Sequence, residues 1–137
     1  MDNSGTVKIS DFGFAKMISD EEMKNLPSEG TSVGTPIYMS PQILTSEPYT
    51  IKCDVWSCGI VFYRILYRLF PWEKTDHLQI LIDRMHSEIT FPPHIQVEGW
   101  LKDTIRGMLT VSEADRLSIK EVVERIKKYC PNLMDME

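Results

Sequence analysis

Three side chains that could bind a ligand or exchange hydrogen bonds lie in turns or at the ends of predicted elements of this 137-residue chain. Asp11 follows a segment predicted to be a strand, Thr35 lies in a turn between a glycine and a proline, and Asp54 opens the most hydrophobic segment. Each also has a structural explanation: a turn aspartate, an exposed turn threonine, or a helix-start aspartate favoured by the helix dipole. Taken singly, these residues leave ligand binding and plain structural roles both open.

Five short motifs in a fixed order resemble the C-terminal lobe (C-lobe) of a eukaryotic serine/threonine protein kinase catalytic domain. They are Asp11-Phe12-Gly13, the segment 34–42, the segment 54–59, Phe70-Pro71-Trp72 and Asp115-Arg116. One tripeptide would be weak evidence, but chance rarely supplies five motifs in the family's order. Segments 13–16 and 38–41 are further similar to the autophagy-initiating branch of these kinases.

The resemblance implies transfer of the γ-phosphoryl group of ATP to serine or threonine of a protein substrate, with Mg²⁺ neutralising phosphate charge. It makes Asp11 a Mg²⁺ ligand, since carboxylate oxygens suit that cation. Phe12 would pack inward and Gly13 would let the backbone switch, so Asp11, Phe12 and Gly13 form the expected cofactor-binding residues. Thr35 matches the hydroxyl that hydrogen-bonds to the catalytic aspartate and lysine.

Three further residues match structural positions of the family. Asp54 would accept hydrogen bonds from the backbone of the catalytic loop. Gln42 stands where the family usually has a glutamate that forms a buried ion pair with the arginine matched by Arg116. A buried arginine without its carboxylate costs several kcal/mol, so we expect either a wetter site or another carboxylate nearby.

The loop before Gly34 carries candidate phosphorylation sites. Thr31 matches the position often phosphorylated in kinase activation loops, and Ser28 and Ser32 are competing sites. A phosphate there could order the loop by pairing with an arginine. A solvated loop without regulation is the alternative.

Several parts of a complete kinase are not found in the sequence. The chain contains no Gly-x-Gly-x-x-Gly, no Val-Ala-Ile-Lys and no His-Arg-Asp before Asp11. We therefore expect a partial kinase domain, inactive as an isolated chain and not expected to bind ATP and Mg²⁺ alone. The alternative is a non-catalytic kinase-like module that binds a partner or acts as a decoy.

The elements that must position these residues are mostly helical. Residues 6–10 alternate like a short strand, and 11–42 reads as a long activation segment. Helices are predicted after Ser40-Pro41, over 50–69, around 78–85 and 101–109, and after a capping box at Ser118. The fold class is thus mainly α, organised as 1–10 (turn and strand), 11–42, 43–130 (helices) and 131–137 (tail).

Composition excludes several classes of protein. The net charge of −5 argues against nucleic-acid binding. The basic cluster at 125–128 suits the end of a helix. Three cysteines without metal-ligand spacing favour a reducing compartment, and no segment is long enough to cross a membrane. We expect a cytoplasmic protein whose exposed face on the central helix is covered by another kinase chain or a regulator.

Overall fold

The computed structural model describes residues 8–15, 17–19 and 34–131, and this part of the chain is built from helices. The α-helices are α1 (Pro41–Leu44), α2 (Lys52–Tyr67), α3 (Leu78–Met85), α4 (Gly99–Met108) and α5 (Ile119–Tyr129). Two 3₁₀ helices, Phe12–Phe14 and Pro36–Tyr38, precede them. The predicted mainly α fold with five helices is confirmed.

The predicted N-terminal strand is not formed where the structure describes it. Residues 8–10 belong to no strand, and residues 6 and 7 lie outside the described residues. An isolated strand is not stable in water, because its backbone groups and its apolar face need a pairing partner. The alternating pattern was therefore insufficient to predict a strand here.

Helix α2 is the centre of the fold, as its hydrophobic sequence predicts. Trp56 and Ile60 are fully buried on the face that packs against α4, together with Tyr63 and Tyr67 one and two turns later. This cluster also contains, from the other elements, Ile37, Trp72, Leu81, Met85, Ile89, Ile105 and Leu109. The helix ends at Tyr67 because Arg68 takes a left-handed conformation and its N–H bonds to the carbonyl of Arg64.

The opposite face of α2 is apolar and open. Val61 is 41%, Ile65 71% and Leu69, just beyond the helix, 54% exposed. Their spacing of four residues places them on one side of the helix. The sequence predicts exposed apolar surface on this helix, and the structure shows which face carries it.

Close helix contact depends on two glycines. A Cβ atom on Gly59 of α2 would lie 2.9 Å from Leu109 Cδ2, and one on Gly107 of α4 would lie 2.6 Å from Leu117 Cδ1. Neither distance is tolerated between carbon atoms, so these positions let α2 pack on α4 and let α4 approach the segment before α5. A smaller apolar cluster fills the space beside them: Val55, Met108, Leu117 and Val122.

The helix starts differ in how they are capped. Ser118 forms the predicted capping box, in which Glu121 N–H bonds to Ser118 Oγ at 3.3 Å and Ser118 N–H bonds to Glu121 Oε2 at 2.7 Å. Ser40 precedes Pro41 as predicted, but its hydroxyl caps nothing and is buried without a hydrogen-bond partner. Proline at the first position already removes one free N–H, which lessens the need for a side-chain cap.

Within the described residues, none of the helices has the length and apolar character needed to span a membrane.

Candidate functional site

Asp11 lies at an exposed position in front of the 3₁₀ helix Phe12–Phe14. Its backbone takes the left-handed conformation (φ 61°, ψ 70°), which aspartate tolerates better than most residues. Its side chain makes no capping hydrogen bond to that helix. The structural explanation of Asp11 as a turn cap is therefore not supported, and its carboxylate is exposed to solvent.

The neighbours of Asp11 behave differently from the expectation. Phe12 is 67% exposed, so the prediction that it packs inward is wrong for this chain, because none of the described residues covers it. Gly13 leaves room for the Asp11 side chain, because a Cβ atom at position 13 would lie 3.3 Å from Asp11 Oδ1. A larger residue at 13 would press on the carboxylate.

The donor set for a metal ion is incomplete within this part of the chain. Asp11 offers an oxygen of the kind that Mg²⁺ prefers, and Mg²⁺ keeps several waters when protein ligands are few. Among the described residues, however, no group of three His, Cys, Asp or Glu side chains could hold a metal ion. Asp11 thus fits as one Mg²⁺ ligand, and the remaining ligands would have to come from the nucleotide, water or other residues.

Thr35 stands at the edge of a groove. Gly34, with φ 132°, makes the turn that a residue with a side chain would resist, and Thr35 follows in extended conformation. Thr35 is exposed and makes no capping hydrogen bond to the 3₁₀ helix Pro36–Tyr38. The groove has a volume of about 260 Å³ and is lined by Thr35, Pro36, Ile37, Lys74, Thr75, Asp76 and Leu78.

Helix α2 holds this 3₁₀ helix in place through Tyr38. Ser57 Oγ donates a 2.8 Å hydrogen bond to the carbonyl of Tyr38, and Arg64 Nη1 donates to the Tyr38 hydroxyl. The guanidinium of Arg64 also lies 4.7 Å from the ring centre of Phe70. The ring of Tyr38 packs edge-on against the same Phe70 ring. Backbone, hydroxyl and ring of Tyr38 are each held, so the position of Thr35 depends on α2.

Gln42 and Arg116 meet in the interior, as the resemblance implies. Gln42 Oε1 accepts a 2.7 Å hydrogen bond from Arg116 Nη2, while Gln42 Nε2 donates to the Val111 carbonyl at 2.8 Å. Arg116 is 1% exposed and donates further bonds to the carbonyls of Lys52, Thr110 and Val111. Its guanidinium also lies 5.0 Å from the ring centre of Trp56. The wetter site considered from the sequence is wrong, because this arginine is sealed from solvent.

The second expectation, another carboxylate, is met by Glu113. Its Oε1 lies 4.0 Å from Arg116 Nη1 and accepts a 2.9 Å hydrogen bond from the Thr50 N–H. Burial lowers the pKa of Arg116, and the negative charge of Glu113 acts in the opposite direction. Glu113 is therefore the counter-charge of Arg116, at a longer distance than a direct ion pair.

Asp54 lies exposed in the first turn of α2. This position suits the helix dipole, and the role of Asp54 in holding a catalytic loop stays a prediction. Its neighbour Cys53 is buried, and burial, followed by the charges of Asp54 and Glu113, raises the pKa of that thiol to about 12. Cys53 is therefore a structural thiol at neutral pH rather than a nucleophile.

Comparison with known proteins gives a single family. The model of the protein kinase domain matches residues 1–126, which is most of the chain. This chain belongs to the protein kinase domain family. The five motifs and the helical C-lobe fold agree with that membership.

The chain is similar to serine/threonine kinases of several yeasts. The serine/threonine-protein kinase ATG1 of Candida glabrata is 36% identical over 121 residues, which is 87% of this chain and 12% of that protein. ATG1 of Debaryomyces hansenii is 37% identical over 117 residues, 84% of this chain and 13% of that protein. ATG1 of Saccharomyces cerevisiae is 34% identical over 121 residues. This kinase chain thus spans about an eighth of the length of the relatives it matches, and its relation to the ATG1 branch, expected from two short segments, is confirmed.

Sequence reasoning missed several residues that hold the kinase motifs together. Glu113 had no periodic or motif signal, although its place two residues before Asp115-Arg116 could have indicated a nearby counter-charge. Ser57 and Arg64 lie at helical spacing on α2, and the apolar pattern of that segment predicts only a core helix. The candidate phosphorylation sites Thr31, Ser28 and Ser32 lie outside the described residues.

Proposed function

We propose that this chain forms the C-lobe part of a serine/threonine protein kinase that transfers the γ-phosphoryl group of ATP to a protein substrate. The carrying observation is that Asp11 and Thr35 are both retained at exposed positions within a chain that the kinase domain model matches. A purely structural lobe needs neither a metal ligand nor a free hydroxyl. The similarity to yeast ATG1 kinases supports serine and threonine as acceptors.

In this proposal the residues of the chain position reactants. Mg²⁺ would neutralise the phosphate charge, and Asp11 would hold it with one carboxylate oxygen. Thr35 would place its hydroxyl beside the reacting group, while a substrate segment lies along the groove between Thr35 and Leu78. The bonds from Ser57 and Arg64 to Tyr38 would keep that groove at a constant distance from α2.

The catalytic base would come from residues outside this sequence, because the 137 residues contain no His-Arg-Asp. The chain by itself is therefore proposed to be inactive. We also propose a cytoplasmic location, which the three free thiols support.

A chimera tests the proposal. The segment of Candida glabrata ATG1 that precedes the matched region would be joined to residues 1–137, and transfer of ³²P from ATP to casein would be measured. We expect the chimera to be active and the isolated chain to be inactive. Asp11→Ala should lower the rate at least about a hundredfold and Thr35→Ala about tenfold, as for loss of groups that position reactants.

The control is Glu124→Ala, which removes an exposed carboxylate of α5 and should leave the rate unchanged. A folded chimera that binds ATP but transfers no phosphate would contradict the proposal. Activity that survives Asp11→Ala would contradict the role of Asp11.

A second candidate function is a non-catalytic kinase-like module, favoured by the exposed apolar face of α2. Such a module would bind a kinase chain or regulator through that face and would not need Asp11. The chimera separates the two candidates, because only the kinase proposal predicts activity that depends on Asp11.

A further inference from the structure

A groove between α4 and α5 combines stacked aromatic rings with positive charge. Trp100 and Tyr129 stack with their ring centres 5.0 Å apart and their planes within 10° of parallel. Together with Asp103, Arg125 and Lys128 they line a groove of about 400 Å³. Tyr129 is 48% exposed, so part of the stack faces the open side. The groove is large enough for several side chains of a bound peptide.

The two cations that line this groove are not held in direct ion pairs with the described residues. Asp103 is already paired, since its Oδ1 lies 2.9 Å from Arg106 Nη1. Within the part of the chain that the structure describes, neither Arg125 nor Lys128 forms an ion pair with a carboxylate. Lys128 Nζ instead lies 5.1 Å from the ring centre of Tyr129.

The helix itself does not neutralise these cations. A helix C-terminus carries about half a negative charge, whereas Arg125 and Lys128 carry two full positive charges. Glu121, four residues before Arg125, acts on that cation electrostatically but is also bound by the backbone N–H and the hydroxyl of Ser118. Glu124 lies four residues before Lys128 and forms no ion pair with it among the described residues. Two cations without a direct ion pair to a described carboxylate therefore lie beside an apolar surface.

We propose that this groove, lined by Trp100, Asp103, Arg125, Lys128 and Tyr129, binds an acidic segment of a protein partner. Carboxylates of that segment lie at Arg125 and Lys128, and an apolar side chain packs on the Trp100–Tyr129 stack. Asp103 accepts a backbone N–H of the same segment, which disfavours a small free anion. Two cations on a chain of net charge −5 are too few for nucleic acid.

The inference is independent of the proposed kinase activity. The groove shares no lining residue with the one beside Thr35. From the sequence, the cation cluster at the end of α5 is explained by the helix dipole alone. The proposed groove adds a binding role for two of these cations. The partner would dock on α4 and α5 whether or not phosphate transfer takes place.

The test is fluorescence anisotropy of the 137-residue chain with a fluorescein-labelled peptide Asp-Glu-Leu-Trp-Glu-Asp. We expect saturable binding that is absent for a peptide in which lysines replace the acidic residues. Arg125→Glu and Lys128→Glu should each weaken binding about tenfold, and Tyr129→Ala about fivefold. Arg125→Gln should weaken binding in the same direction, which guards against misfolding caused by charge reversal.

The matched control is Lys127→Glu, which makes the same charge change on the same turn of α5 but does not line the groove. It should change the affinity less than about twofold. Equal weakening by Lys127→Glu and Arg125→Glu would overturn the proposal, because attraction would then be nonspecific. Tighter binding of a single-stranded oligonucleotide than of the acidic peptide would also overturn it. So would a marked gain in peptide affinity when the chain ends at Pro131, since the occupant would then be the chain's own acidic tail.

Discussion

At the scale of single residues, the contact between Arg116 and Gln42 shows how a buried charge is kept without the usual carboxylate. Four oxygens, one from the Gln42 amide and three from backbone carbonyls, accept the guanidinium hydrogens. None of them carries a full negative charge. The compensating charge comes from Glu113, whose side chain is 16% exposed and therefore attracts Arg116 with little screening.

We predict that Glu113→Gln lowers the free energy of unfolding by about 2 kcal/mol. Glutamine can still accept the Thr50 N–H, so the change removes the charge rather than the hydrogen bond. Gln42→Glu added to this variant should restore most of the loss, because a carboxylate would then lie beside Arg116 Nη2. Urea unfolding of the two single variants and the double variant measures the coupling.

Glu73→Gln is the control for this pair. Glu73 lies 3.1 Å from Arg84 but is 83% exposed, so its ion pair is screened. We expect a loss of less than about 0.5 kcal/mol. A loss at Glu113 no larger than at Glu73 would show that Glu113 is not the counter-charge of Arg116.

At the scale of elements, helix contact and helix capping decide how the lobe holds together. Gly59 lets α2 approach α4, and no periodic pattern in the sequence marks this position as a contact. Alanine at 59 would gain about 1 kcal/mol in helix propensity. Its Cβ would nevertheless meet Leu109 Cδ2 at 2.9 Å and Met108 Cβ at 3.0 Å, and such overpacking costs about 1–3 kcal/mol.

We predict that Gly59→Ala lowers the free energy of unfolding by about 1 kcal/mol, because overpacking exceeds the propensity gain. Gly99→Ala at the start of α4 is the matched control, since a Cβ atom there would have no contact within 4 Å beyond its chain neighbours and the backbone of its own helix. That variant should be neutral or slightly stabilised in the same urea titration. If both variants gain stability, the close approach of α2 and α4 is not rigid.

The capping box of α5 gives a prediction about pH. Hydrogen bonds from the Ser118 N–H and hydroxyl lower the pKa of Glu121. Because the pKa is lower in the folded state, the stabilisation is present above the unfolded value of about 4.3 and is lost as pH falls through the folded value. Ser118→Ala should lower the melting temperature more near pH 6 than near pH 3.

Thermal unfolding at both pH values measures this difference. Glu124→Gln is the control, because it removes an exposed carboxylate of the same helix without touching the cap. Its effect should stay below about 0.5 kcal/mol at either pH. A Ser118→Ala cost that is equal at both pH values would mean that the bond between the Ser118 hydroxyl and Glu121 does not depend on the charge of Glu121.

At the scale of the whole molecule, the lobe has one well-packed side of α2 and one open side. Val61, Ile65 and Leu69 lie on the open side, and adjacent exposed apolar side chains of this kind mark an interaction surface or a tendency to aggregate. The surface follows from the central position of α2, because a helix that is apolar all round needs partners on every side.

We predict that Val61→Lys with Ile65→Lys lowers binding of the dye ANS by roughly half. Stability should change by less than about 0.5 kcal/mol, since both side chains are exposed. Ile119→Lys, which removes an exposed isoleucine of α5, should lower dye binding much less. Undiminished dye binding by the double variant, or a monomeric unmodified chain that binds no dye, would contradict the prediction.

What the sequence by itself determined is local and ordered along the chain. The five helices, the capping box at Ser118 and the kinase family were predictable, because helical periodicity, cap residues and motif order are written in neighbouring residues. The strand over 6–10 was predicted wrongly for residues 8–10, since strand formation needs a partner that local alternation does not provide. Packing of Phe12 was predicted wrongly for the same reason, because burial requires a second surface.

Only the tertiary structure decided contacts between residues that are distant in sequence. It placed Glu113 beside Arg116 across from Gln42, tied Tyr38 to Ser57 and Arg64, and left one face of α2 open. It also brought Trp100 of α4 against Tyr129 of α5, which turned a basic helix end into one wall of a groove. Such contacts depend on how helices cross, and crossing is set by the packing of the entire core rather than by any one segment.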